Sequence, residues 1–213
     1  MLQRSSPSPG AQGKIGSTSR RSHQIYVNAF WTLACGLALG LAATWAALNV
    51  GYGFGPLVAG PWTAWPQAGG PEIDPYARAA FARRGEAPLA RELGLAFVAR
   101  TDSSGAPLNG RCEYLIRAPV PPARFWTLSL LDLQGAAPTN DTQRYAYTSS
   151  EILRGEGGGF QIEIARSARP GNWLSPGNTR TFEIALHLYD ISIDAAAKLD
   201  AAAFPSIVRQ ACA

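Results

Sequence analysis

Residues 182–190, FEIALHLYD, place Phe182, Ile184, Leu186 and Leu188 on one side of an extended chain and Glu183, Ala185, His187 and Tyr189 on the other. A period of two marks a strand with one face in a core. The same period recurs upstream: Phe160, Ile162 and Ile164 alternate with Gln161 and Glu163, and Trp126, Leu128 and Leu130 continue the series. Further upstream Leu95, Phe97 and Ala99 alternate, as do Cys112, Tyr114 and Ile116, with the turn Asp102-Ser103-Ser104-Gly105 between them. This turn predicts two antiparallel strands joined by a loop. Short alternating segments divided by turns predict a mainly β domain, an antiparallel β-sandwich or jelly roll with one or two short helices.

The helices are legible from their caps. Asp74 followed by Pro75 opens one, because Asp accepts from the orphan amides and Pro is tolerated at the first helical position; Gly85 closes it. Its expected buried face is Tyr76, Ala80 and Phe81, with a further helical turn over Leu89 to Leu93. A short helix is expected in the alanine-rich stretch between Asp190 and Ala203. Residues 51–73, with Pro56, Pro61, Pro66 and Pro71 at intervals of five, read as an extended Gly/Pro-rich spacer.

From Ala29 to Leu48 no side chain is charged, and AFWTLACGLALGLAATWAAL has about the 20 apolar residues that cross a hydrocarbon core. Tyr26 and Trp31 precede its middle, and Trp45 and Tyr52 follow it, as rings settle at headgroup level. A cleaved secretory signal is the competing reading, with Ala59 or Ala64 near a cleavage site, but signal cores are shorter. The expected organisation is a disordered basic tail at 1–25, a transmembrane helix at 26–50, a linker at 51–73 and an exported β-rich domain at 74–213. Gly36 and Gly40 make a small-xxx-small face on which a second copy of the helix could pack, although a lipid-facing anchor accounts for the same residues.

The 213 residues carry 19 Lys and Arg against 15 Asp and Glu. Arg4, Lys14, Arg20 and Arg21 lie in the tail without an acid, so the net +4 belongs to that tail and the rest is balanced. A folded basic surface for nucleic acid is therefore not expected. Four basic residues before the span, with Glu72 the first charge after it, predict a cytoplasmic tail and an exported domain. Cys35 lies in the span, which leaves Cys112 and Cys212 as an even pair on the far side; a disulfide is expected, two free buried thiols being the alternative.

The segments CEYLIRAPVPPARFWTLSLLDLQG (112–135), GNWLSPGNTRTFEIALHLYD (171–190) and FPSIVRQAC (204–212) resemble the bacterial domain of unknown function 1214 family, in its short membrane-anchored members. The resemblance covers most of residues 60–212 and rests on Phe125-Trp126, Gly171-Asn172-Trp173-Leu174 and Leu188-Tyr189-Asp190. Ser175 stands where relatives usually place Pro, and His187 where they usually place Arg, which puts a charge-dependent role of that strand face in doubt. The resemblance implies a β-rich domain in a bacterial envelope, here the inner membrane with the domain periplasmic, and implies no established activity.

Candidate sites are sparse. With His23 and His187 the only histidines, no multi-histidine zinc site is expected, and no metal or cofactor is assigned. His187 shares a face with Glu183 and Tyr189, a general-base cluster if that face lines a cleft and a plain sheet histidine if it does not. No Gly-x-Ser-x-Gly elbow occurs; Ser149 and Ser150 fall in a loop. Asp132 and Asp190 sit at strand ends, where a glycosidase-like pair would stand about 5 to 10 Å apart and turn-capping residues would not. Gly155 to Gly159 lacks the Lys-Ser/Thr ending of a phosphate loop and reads as a hairpin. Asn172 and Trp173 could stack on and hydrogen-bond a ligand, or close the end of the sandwich. The candidate ligand contacts are Trp126, Asn172, Trp173, His187 and Tyr189. The expected role is a membrane-anchored binding or assembly module for an envelope polymer or protein partner; the rival is a hydrolase or carbohydrate-modifying enzyme with a carboxylate site near Trp173.

Overall fold

The computed structural model describes residues 18–50, 55–85, 87–191, 193–196 and 198–212. The chain divides into two units at Ala47/Leu48, the first holding most of helix α1 (Thr18–Val50) and the second all the strands. Within α1 the stretch His23–Ala47 is long and apolar enough to cross a membrane, about 37 Å at helical rise. Its large side chains, among them Phe30, Leu37, Leu41 and Trp45, are exposed. Thr32 and Thr44 donate to the carbonyls of Asn28 and Gly40, so both hydroxyls are satisfied inside the helix. A Cβ built at Gly36 or Gly40 meets nothing within 4 Å. Helical backbone begins at Thr18, so the part of the basic tail from 18 to 25 is ordered as helix rather than disordered; residues 1–17 lie outside the described residues.

The second unit is a two-sheet sandwich. Its strands are β1 (Leu57–Ala59), β2 (Trp62–Ala64), β3 (Gly94–Ala99), β4 (Cys112–Arg117), β5 (Phe125–Leu131), β6 (Ala146–Thr148), β7 (Gln161–Ile164), β8 (Trp173–Leu174), β9 (Glu183–Tyr189) and β10 (Ser206–Cys212). One sheet has the order β1-β2-β3-β9-β5-β6 and is antiparallel throughout; the other has the order β10-β4-β7-β8, with β7 and β8 parallel. Strand β9 lies inside the large sheet. Its register sets Leu186 opposite Phe97 on one side and Leu128 on the other, and Ile184 opposite Ala99 and Leu130. These residues meet Tyr114, Ile116, Ile162, Ile164 and Ile207 of the small sheet in one core.

The strands read at 95–99 and 112–116 exist but do not pair. Strand β3 joins β2 and β9, whereas β4 joins β10 and β7. Alternation reveals which face a strand buries and not which neighbour it takes. The turn at 102–105 closes on itself, with the Asp102 amide donating to the Ala106 carbonyl; Leu108, 1% exposed, then enters the core as the chain changes sheet.

The segment 51–73 is not a spacer across its length. Residues 57–64 form a hairpin that extends the large sheet, with Gly60 at φ +60° in its turn. Ala59, Trp62 and Ala64 are core residues, and the Trp62 Nε1 donates to the Pro205 carbonyl at 2.8 Å. Pro56, Pro61 and Pro66 flank these short strands, which is where a residue lacking an N–H is tolerated. Helix α2 (Pro75–Arg84) has the expected ends: Asp74 accepts from the Tyr76 and Ala77 amides, and Gly85 takes φ +66°. Its buried side chains are Ala77 and Ala80, while Tyr76 is 46% exposed, a correction to the expected face. Short helical pieces at Ile193–Ala196 (α3) and Ala201–Ala203 (a 3-10 turn) replace one alanine-rich helix, and the tail beyond Pro205 is itself strand β10.

Candidate functional site

The outward residues of β9 are Glu183, Ala185, His187 and Tyr189. Neighbouring strands contribute small or apolar residues to the same face: Ala96 lies opposite His187 on β3, and Val98 and Ser129 flank Ala185. Large outward side chains would fill this surface; small ones leave room above it. A cavity of about 300 Å³ occupies that room, with Glu183, Ala185 and His187 among its lining residues. Trp65 and Pro66 from before α2, Phe81 on it, and Pro88 and Leu89 from after it also line it. The two roofing segments touch closely. A Cβ at Gly69 would stand 1.8 Å from the Leu89 carbonyl oxygen, so only glycine permits this approach, and the Arg91 amide donates to the Gly69 carbonyl at 3.3 Å. Gly94, at φ +146°, brings β3 equally close to Leu188 of β9 at the start of the sheet pairing.

Two polar groups on this floor have unmet bonding capacity. Glu183 is 1% exposed, and its Oε2 accepts from Arg100 Nε at 2.8 Å. Among the described residues no donor reaches its Oε1. His187 is half-buried, its ring stacks on Tyr189 at 6.4 Å, and among the described residues neither ring nitrogen has a hydrogen-bond partner. Burial holds its pKa below the ordinary histidine value, which leaves the imidazole neutral near pH 7. Four residues of strand separate the two Cα atoms by about 13 Å, so Glu183 and His187 do not form an acid/base dyad but mark two ends of one floor.

The His187 shift carries a sign. A folded pKa below the unfolded one means that the unfolded chain takes up the proton first as pH falls. The domain is then most stable above the ordinary value of 6.5 and loses stability as pH drops through it toward the folded value. The expected result is a lower urea midpoint at pH 5.8 than at pH 7.5, with a smaller difference in His187→Gln. Equal differences in the two proteins would remove burial of a neutral His187 as the cause.

The other sequence candidates lie elsewhere. Trp126 is 5% exposed, turned inward, and stacks on Phe160 at 5.1 Å. Asn172 donates to the Leu153 and Gln161 carbonyls and accepts from the Leu153 amide, all within 2.9 Å. The Trp173 indole donates to the Ala165 carbonyl at 2.8 Å. These bonds tie β8 to its loops. Asn172 nevertheless borders a second, more open concavity with Arg117, Arg154 and the glycines at 155 and 159. Ser175, 6% exposed, accepts from the Gly177 amide. Ser149 Oγ accepts from the Trp126 amide at 3.4 Å, and Ser150 Oγ lies 3.0 Å from that of Thr148.

Asp132 and Asp190 do not form a carboxylate pair. They follow the C-terminal ends of β5 and β9, which are antiparallel neighbours, so the length of the strands, about 20 Å, lies between them. Asp132 caps its own turn by accepting from the Gln134 and Ala136 amides, and Asp190, at φ +59°, sits 3.8 Å from Arg124. The cavity itself was not among the sequence candidates. Its signal was the small outward set Ala96 and Ala185 on otherwise bulky strands, but its roof comes from the segments on either side of α2, the first of them in the stretch read as a spacer.

Fold and site together define a mainly antiparallel β-sandwich that follows an apolar helix and bears a partly covered cavity on the outer face of its larger sheet. Residues 94–192 match the family described as "Protein of unknown function (DUF1214)", as the resemblance in the sequence implied. That match spans β3 to β9, the strands that make the cavity floor. No curated protein is significantly similar to the chain. Among solved structures, the VPA0106 protein from Vibrio parahaemolyticus is similar at 18% identity with a TM-score of 0.51, over 66% of this chain and 36% of that one. A putative uncharacterized protein from Burkholderia cenocepacia aligns at 15% identity with a TM-score of 0.39, over 58% and 31%. The chain thus spans about a third of the length of these structures.

Proposed function

We propose that this chain is a membrane-anchored binding module, its sandwich held on the non-cytoplasmic side of a bacterial inner membrane, and that its ligand is a small molecule or a small terminal group received in the cavity over β9. The observation that carries the binding reading is that cavity: about 300 Å³, lined mostly by apolar side chains, with Glu183 and His187 as separated polar points on its floor. Ligand sites combine such an apolar lining with few polar groups. The cavity's size favours a monomer-sized group over an extended polymer. The rival enzyme reading loses its carboxylate pair through the separation of Asp132 from Asp190.

The location is supported by the charge asymmetry across the apolar helix and by the disulfide between Cys112 and Cys212, which persists in an oxidising compartment. Retention of the anchor is supported by the position of the two cleavage candidates. Processing after Ala59 would remove β1, and after Ala64 the whole hairpin with the fully buried Trp62. Reporter fusions after residue 213 test the location. A reporter active only outside the cytoplasm is expected to work and one active only inside to fail; the reverse pattern would overturn the exported placement.

A further inference from the structure

The side chains on the cavity floor also restrict what kind of molecule fits. This step rests on the binding reading above. Glu183 is a carboxylate taken almost wholly out of water, with one oxygen bonded to Arg100 and the other without a donor among the described residues. A buried acceptor left unbonded is costly, and a ligand donor that reaches it recovers that cost. Glu183 is among the residues that line the cavity and Arg100 is not, so the cavity borders the acceptor rather than the cation. A ligand carboxylate would be set against a like-charged oxygen in a desolvated space. At the other end, about 13 Å along β9, His187 offers a neutral ring whose nitrogens have no hydrogen-bond partner among the described residues. Between them Ala185, 2% exposed, adds a small apolar side chain to the lining, to which Trp65, Phe81 and Leu89 also contribute.

We propose that the cavity selects an elongated, largely apolar molecule whose end group carries an O–H or N–H donor, directed to Oε1 of Glu183, and that it rejects the corresponding carboxylate. The apolar body lies over Ala185 beneath the aromatic roof, and its far end comes within reach of His187. Selectivity here arises because each wrong end group leaves either the Glu183 oxygen unbonded or two negative charges adjacent.

Three probes of one skeleton separate the possibilities: 4-phenylbutan-1-ol, 4-phenylbutylamine and 4-phenylbutanoate, titrated at pH 7.5 into the full chain in lipid nanodiscs and followed by calorimetry. The alcohol and the amine are expected to bind at least about tenfold more tightly than the acid, a difference one charge-assisted hydrogen bond can supply. In Glu183→Gln that discrimination is expected to fall to within about threefold. Ala185→Leu, which fills the floor without adding charge, is expected to weaken all three probes by about tenfold or more. Binding of the acid as tight as that of the alcohol in the unaltered protein would overturn the ligand class and leave the cavity a binding site. Absence of binding by every probe at millimolar concentration, or binding unaffected by Ala185→Leu, would overturn the binding reading as well. The comparison of probes on the unaltered protein needs no variant to fold.

Discussion

Replacing Cys112 and Cys212 together by serine is expected to lower the unfolding free energy of the sandwich by about 4 to 5 kcal/mol, the chain-entropy value for a loop of this length. The two residues are direct register partners, one opening β4 and the other ending β10, at a sequence separation of 100. Strands β4 to β10, seven of the ten among the described residues, therefore lie inside the covalent loop. Strand β10 forms the edge of the small sheet and has only β4 as its partner, so its far end gains no second ladder of hydrogen bonds. Past Arg209 the register shifts before Cys212. Non-covalent ties remain upstream: Ser103 exchanges two hydrogen bonds with Ile207, and Arg209 reaches the Pro107 carbonyl and the buried Asp102. The serine variant should thus remain folded near neutral pH at reduced stability. Urea unfolding with and without reductant checks this: reduced wild type and the double variant should coincide. A loss under about 1 kcal/mol, or free alkylation of both thiols in unreduced protein, would show that the bridge does not hold the fold.

What the sequence disclosed about this fold followed the range of each interaction. The inward residues of β9, β7 and β5 were visible because a face is decided within a few residues, by alternation alone. The caps of α2 were visible for the same reason, since Asp74 and Gly85 act on the adjacent turn. Pairing was not visible. One partner of β4 is β10, about 90 residues downstream, and local pattern carries no information on that choice. The first hairpin was hidden by composition: strands of three residues bounded by Pro and Gly have the signature of a spacer, and only the distant Pro205 carbonyl and the core around Trp62 give them a fixed place.

The site was half legible for a related reason. His187 and Glu183 were picked out on one face of a strand, and that face is indeed where the cavity lies. Whether the face was open or covered depended on the segments around Gly69 and Leu89, which meet only in the folded chain. Asn172 and Trp173 were conspicuous because polar and aromatic residues in a Gly/Pro-rich loop suit a ligand. The same groups suit a loop that must satisfy its own carbonyls, and the bonds to Leu153, Gln161 and Ala165 take up their donors. Residue type indicates bonding capacity; only geometry indicates how much of it is left over.

Trp62→Ala is expected to cost about 3 to 5 kcal/mol, the range for truncating a large buried aromatic side chain. Trp62 is fully buried in a strand of three residues, and it is the one large side chain among the hairpin's core residues, Ala59 and Ala64 being small. The ring also joins distant parts of the chain, because its Nε1 donates to the carbonyl of Pro205, immediately before β10. Trp62→Phe keeps much of the packing and leaves that carbonyl without its indole donor, so a smaller loss of about 1 to 3 kcal/mol is expected. The indole bond and the disulfide secure opposite ends of β10. If both hold one edge strand, their losses should not add: in a cycle of Trp62→Phe with the two cysteine-to-serine changes, a coupling of about 0.5 kcal/mol or more is expected. A chain beginning at residue 74 is expected to fail to give a cooperative unfolding transition, since it lacks both strands of the hairpin. Cooperative unfolding of that shorter chain at unchanged stability, measured by circular dichroism in urea, would return residues 51–73 to the role of a spacer and remove Trp62 from the core.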